Sequence, residues 1–186
     1  YTDGTASILL EPQSTNLVTH SEDFSDASWV KVNSVITSNS IASPRGLLDA
    51  DEITFDGTSL GRVETSFSSL IGNEYNQSIY LKNKNLSDTT QVWIGFSHDF
   101  QGQGSFVTVT NEWQRYDVTI IADGTSEFPR IQFSGTGSLY AWGFQTEEAS
   151  QATSYIPTNG VAVTVDSNST SVVNNTGIVE RPITGV

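Results

Sequence analysis

Hydrophobic residues recur at every second position through the middle of this chain, and that period decides what it can fold into. In NEYNQSIYLKN (73–83), Tyr75, Ile79 and Leu81 alternate with Asn76, Ser78 and Lys82. TQVWIGFSHDF (90–100) sets Val92, Ile94 and Phe96 on one face and Trp93, Gly95 and Ser97 on the other. WQRYDVTII (113–121) alternates Tyr116, Val118 and Ile120 with Arg115, Asp117 and Thr119, and RIQFSG (130–135) and SLYAWGFQTEE (138–148) continue the habit. A strand turns successive side chains to opposite faces, so this is the pattern of half-buried β-strands. Between them fall turn clusters: Asp56-Gly57, Ile71-Gly72-Asn73, the stretch 85–88, Gln101-Gly102-Gln103-Gly104, Ala122-Asp123-Gly124 and the stretch 134–137. No helical stripe runs longer than about two turns. The expected fold is all-β, an antiparallel β-sandwich, with a jelly roll favoured. An immunoglobulin-like sandwich fits less well, because the Cys…Trp…Cys pattern is absent.

The 186 residues suffice for one domain with a sizeable core. The chain has no cysteine, which removes disulfides, zinc–thiolate sites and thiol catalysis together. It has no methionine either and begins Tyr1-Thr2-Asp3-Gly4, so it is expected to be a piece of something longer. A net charge of −13 with only 8 basic residues argues against nucleic-acid or anionic-membrane partners, which need Lys/Arg clusters. No apolar run reaches the length of a membrane helix, so membrane insertion is not expected. After Pro157 the aromatics stop, and Ser, Thr, Asn and Val dominate. The expected organisation is a linker (1–6), a compact domain (7–157) and a connector or strand-exchange tail (158–186).

Nothing in the residues points to catalysis. His20 and His98 are the only histidines, and no nucleophile elbow or phosphate-binding loop accompanies them. The acidic clusters Glu22-Asp23, Asp49/Asp51/Glu52 and Glu147-Glu148 do not impose a facing pair across a cleft, as glycoside hydrolysis requires. Sugar binding needs aromatic platforms and polar neighbours. Trp29, Trp113 and Trp142 are expected to pack. Trp93 and Tyr80 lie out of phase with the apolar faces of their strands, which makes them the candidate platforms. His98, Asp99, Phe100 and Gln101 follow at a strand end and are expected to rim the same face.

The segment Leu10-Glu11-Pro12-Gln13-Ser14-Thr15-Asn16-Leu17, then Ser21-Glu22-Asp23-Phe24-Ser25 and Trp29, is followed by Ala42-Ser43-Pro44-x-Gly46 with Ala50-Asp51-x-Ile53. Further on come Ser78-Ile79-Tyr80-Leu81-Lys82, Glu112-Trp113-Gln114-Arg115-Tyr116, and Leu139-Tyr140-Ala141-Trp142-Gly143-Phe144-Gln145-x-Glu147 with Ala152-Thr153-Ser154-Tyr155-Ile156-Pro157-Thr158. In this order they resemble a jelly-roll module of bacteriophage fibre, spike and other virion proteins, and also galactose-binding-like carbohydrate-binding modules. The resemblance spans about residues 7–160. It implies a non-catalytic module that attaches to cell-surface glycan, displayed on the virion surface among other virion subunits. Such fibres commonly assemble as homo-oligomers, trimers above all. Two alternatives stay open: an accessory carbohydrate-binding module of a secreted polysaccharide-degrading enzyme, and a purely structural virion element. No cofactor is required, but the resemblance implies a structural calcium near the ends of the first and last strands. The oxygens available for it are those of Glu22, Asp23, Asp49, Asp51 and Asp56; the plain alternative is that these acids are solvated. Arg45 stands where the family tends to have Asp.

Overall fold

The computed structural model describes residues 11–86, 90–98 and 101–167, together with the backbone of two short paired strands, Val172–Val173 and Val179–Glu180. It is an antiparallel jelly roll with no helix among the described residues. In chain order the strands are β1 (Ser14–Asn16), β2 (Val30–Val32), β3 (Ser34–Ala42), β4 (Leu48–Asp56), β5 (Gly61–Glu64), β6 (Phe67–Ser68) and β7 (Glu74–Asn83). They continue with β8 (Gln91–His98), β9 (Gln101–Thr108), β10 (Gln114–Ile121), β11 (Ser126–Phe133), β12 (Thr136–Glu147) and β13 (Val163–Val165). One sheet has the order β10-β7-β12-β4-β3; the other runs β2-β5-β11-β8-β9, with β6 on the end of β11.

The alternating residues meet between the sheets. Ile79 and Leu81 of β7, Leu139 and Ala141 of β12 and Ile53 and Phe55 of β4 pack against Val63, Val92, Ile94, Ile131 and Phe133 of the facing sheet. One end is closed by Phe24, Trp29 and Phe144, with the Trp29 ring 5.0 Å from each of the other two. Both Ala141 and Phe144 reach this core, three positions apart, because the β12 register shifts between Trp142 and Gln145. Gly143 sits in that bulge at φ 66°, which re-aims the strand.

The opening and closing segments of the sequence are sewn together. Asn16 is fully buried; its Nδ2 donates to the carbonyls of Phe144 (3.2 Å) and Ile156 (2.8 Å). Its Oδ1 accepts from the amides of Val18 (3.2 Å) and Thr146 (3.1 Å). The buried Glu147 carboxylate accepts from the Ser14 hydroxyl and from the amide and hydroxyl of Thr153. Segments 130 positions apart are thus joined by a hydrogen-bonded seam.

One expectation is revised. Residues 101–104 form the start of β9 and not a turn: Gln101, Gly102, Gln103 and Gly104 pair with His98, Ser97, Phe96 and Gly95 of β8. Past Pro157 the chain stays on the domain, where Val163–Val165 pairs with β1 through the register Asn16↔Val163 to Ser14↔Val165. The expected linker (1–6) lies outside the described residues, as does most of the tail beyond residue 167.

Candidate functional site

On the outer face of the second sheet, ladder register lays the side chains out in rows. One row is Val32, Arg62, Gln132, Trp93 and Phe106; the next is Val30, Glu64, Arg130, Gly95 and Gly104; a third holds Phe128, Ser97 and Gly102. Residues paired across strands share a face, so each row crosses the sheet on its solvent side. The rows enclose a cleft of about 570 Å³ lined by Leu60, Arg62, Glu64, Trp93, Phe128 and Arg130, among others.

Trp93 lies down along its strand over three glycines. A Cβ on Gly104 would stand 2.5 Å from the indole Cζ2, one on Gly95 2.9 Å from Cη2, and one on Gly102 3.2 Å from Cζ2. The glycines are the floor that lets a large ring lie against a pleated backbone, which a side chain at any of these three positions would crowd. The Arg130 guanidinium carbon is 5.6 Å from the indole centre, within cation–π range. Arg62 and Arg130 share one carboxylate: Arg62 Nε is 3.0 Å from Glu64 Oε1, and Arg130 Nη1 is 3.6 Å from Glu64 Oε2. Burial lowers the Arg130 pKa; Glu64 opposes that shift and Arg62 adds to it. Phe106, the cross-strand neighbour of Trp93, is 68% exposed and extends the apolar surface to the sheet edge.

The structure divides the expected platform residues. Tyr80 is on β7, in the other sheet, with its ring 5.4 Å from Trp142 and 5.6 Å from the Arg115 guanidinium carbon. It faces outward, but on the opposite side of the sandwich from Trp93, so the two cannot form one platform. His98 and Gln101 pair at the facing ends of β8 and β9, in the sheet that carries Trp93, and Phe100 lies outside the described residues. Arg62, Glu64, Arg130 and Gln132 were missed at the sequence level. The signal was available in Gly95, Gly102 and Gly104, whose spacing reads as a turn until a ring is placed over them.

The acidic residues behave differently. Glu22, Asp23, Asp49 and Asp51 come together around a second cleft of about 400 Å³ at the end of the sandwich, with His20, Asn39 and Asn159. Asp56 is apart from them; its carboxylate caps its own turn, accepting from the Thr58 amide and hydroxyl, each at 2.9 Å. Arg45 stands between two of the four, donating to Glu22 and Asp49 at 2.7 Å each. The buried Asp51 accepts the amides of Phe24 and Asn39, each at 2.9 Å, and so holds the left-handed turn of Asn39 (φ 52°) inside β3. Burial raises the Glu22 carboxyl above its ordinary range, with Arg45 and a hydrogen bond from Tyr155 opposing; burial likewise raises Asp51, against the two amide bonds. Among the described residues no group of three or more carboxylates and histidines is arranged to hold a metal ion. The set fits a calcium ion poorly: Arg45 is paired with two of the four carboxylates, Asp51 already accepts two amides, and Asp23 accepts from Ser25.

No protein-family model and no curated protein matches the sequence. Solved structures do match its fold. A mutant of the second family 29 carbohydrate-binding module is similar over 75% of this chain and 88% of its own, at 9% identity and TM-score 0.56. The CBM22-1–GH10 modules of the Clostridium thermocellum N-terminal endo-1,4-β-D-xylanase 10B, in complex with xylohexaose, match 78% of this chain at 11% identity and TM-score 0.53. The enzymatically active domain of tailspike protein 4 from bacteriophage CBA120 matches 70% at 12% identity and TM-score 0.53. The chain spans 30% of the xylanase chain and 21% of the tailspike chain. What is shared at such identity is the jelly roll.

Proposed function

We propose that this chain is a non-catalytic glycan-binding module that holds a sugar chain in the cleft over Trp93. The observation that carries the reading is the glycine floor. A sheet gives up three side chains to lay one indole flat beside a polar wall of Arg62, Glu64, Gln132 and Arg130. Indole faces stack on the C–H faces of sugar rings, and the flanking polar groups read hydroxyls. A cleft of about 570 Å³ is of the size that takes a small ligand or a short stretch of a longer one. The carbohydrate-binding modules among structures of the same fold support this reading.

The setting we favour is a virion fibre or spike, with the module attaching to host surface glycan. The tailspike of the same fold supports that setting, and the xylanase supports the alternative of an accessory module beside a polysaccharide-degrading domain. In the first setting a homo-oligomer, a trimer for preference, would make several weak sites act together. Affinity electrophoresis of the purified chain through a panel of polysaccharides tests the reading. At least one polysaccharide is expected to retard the wild type and not Trp93→Ala; retardation that survives in Trp93→Ala would refute it.

A further inference from the structure

We infer that the Trp93 cleft selects acidic glycans, with a sugar carboxylate seated on the Arg62–Arg130 pair. This rests on the glycan-binding reading above and names its substrate class. The chain has only 8 basic residues against 21 acidic ones, yet two of the 8 are side by side in this cleft. Other arginines are spent on structure: Arg45 on Glu22 and Asp49, Arg115 on the Thr153 carbonyl and the Ser78 hydroxyl. Arg62 and Arg130 have one carboxylate between them, that of Glu64. The described lining therefore carries one positive charge more than it balances, on a molecule whose net charge is −13.

Geometry gives that charge a direction. The Arg130 guanidinium carbon lies 5.6 Å from the centre of the Trp93 ring, and the Arg130 Nε is buried with no hydrogen-bond partner, so the guanidinium is incompletely satisfied. A sugar ring stacked on Trp93 would bring an equatorial carboxylate at its rim toward the pair. Guanidinium forks bind carboxylates through charge-assisted hydrogen bonds, stronger than those to a hydroxyl. Gln132, which accepts from Arg130 Nη1 at 3.3 Å, keeps an amide group at the same wall for a neighbouring hydroxyl.

The test compares polygalacturonate with the same polymer after its carboxyls have been reduced to alcohols, by titration calorimetry of the purified chain. Hyaluronate and a neutral β-glucan serve as further probes. Carboxylated polymers are expected to bind at least about tenfold more tightly than the reduced one, the worth of one charge-assisted hydrogen bond. Arg130→Gln and Arg62→Gln are expected to remove that preference while leaving weak binding, and Trp93→Ala to remove both. Equal affinity for the reduced and the acidic polymer, with Trp93→Ala still abolishing binding, would overturn the acidic selectivity and leave the glycan reading standing. No binding to any of these polymers, nor to any in the wider panel, would overturn both. Circular dichroism melts of each variant establish that the fold persists.

Discussion

Asn16 is the residue on which the jelly roll closes, and removing its side chain should cost more than most buried polar substitutions. Its amide makes four hydrogen bonds, donating to Phe144 and Ile156 and accepting from Val18 and Thr146, in a fully buried position. Asn16→Ala would strand two carbonyls and two amides at once. Each buried group left unpaired costs about 1–3 kcal/mol, and neighbouring losses do not add in full, so about 3–5 kcal/mol is expected. Asn16→Asp has the same shape but turns an oxygen toward two carbonyls. Its carboxyl would then titrate above the ordinary carboxylate range in the folded state. A group so shifted stabilises the fold below its unfolded pKa and loses that contribution as pH rises through the folded value. Asn16→Asp should therefore be strongly destabilised at neutral pH and recover part of the loss toward about pH 4. Urea unfolding of wild type and both variants at neutral and acid pH measures this. A cost under about 1 kcal/mol for Asn16→Ala, or an Asn16→Asp penalty that does not shrink with acid, would refute the seam.

Other consequences concern the two clefts. Gly104→Ala should cost about 1–3 kcal/mol and weaken glycan binding together, because the new methyl meets both the indole and the Ile94 carbonyl; a neutral melt with unchanged binding would contradict the glycine floor. Asp51→Asn should destabilise by about 1–3 kcal/mol, since one of the two amides it accepts from Phe24 and Asn39 would face a donor; an unchanged urea midpoint would show the bonds to be dispensable. The raised Glu22 and Asp51 carboxyls favour the folded state below the ordinary carboxylate pKa values, and that contribution is lost as pH rises through their raised values, so Glu22→Gln should flatten the stability profile on the alkaline side of the ordinary carboxylate range. Because Arg45 already pairs with both Glu22 and Asp49, EDTA should leave the melting temperature unchanged, and a fall on chelation that calcium reverses would show a metal there.

The period-two pattern carried the architecture because each strand it marked has one face in the core: Ile79 and Leu81, Val92 and Ile94, Leu139 and Ala141 all meet there. It failed where a strand is not alternating. β9 begins Gln101-Gly102-Gln103-Gly104, polar and glycine-rich, because the volume those residues vacate belongs to an indole from the neighbouring strand. That is a tertiary reason, invisible to local periodicity. The candidate site divided along the same line. Trp93 was legible from its phase on β8. Its partners were not, because Arg62, Glu64 and Arg130 come from strands paired across the sheet, and the sequence does not print register. Tyr80 had the same phase signal as Trp93 and lies on the other sheet, since phase tells outward from inward but not which outside. Four of the five acids that the resemblance grouped line one cleft, Asp56 lies apart, and Arg45 pairs with two of the four.

The glycan cleft itself is tested most directly by observing the indole N–H resonances in a ¹⁵N–¹H spectrum while a binding polysaccharide fragment is titrated in. The Trp93 indole and the amides of Gly95, Gly102 and Gly104 should shift together, while the buried indoles of Trp29 and Trp142 stay in place. Shifts confined to His20, Asn39, Asp51 and Asn159, with Trp93 unmoved, would locate binding in the acidic end cleft and contradict the account.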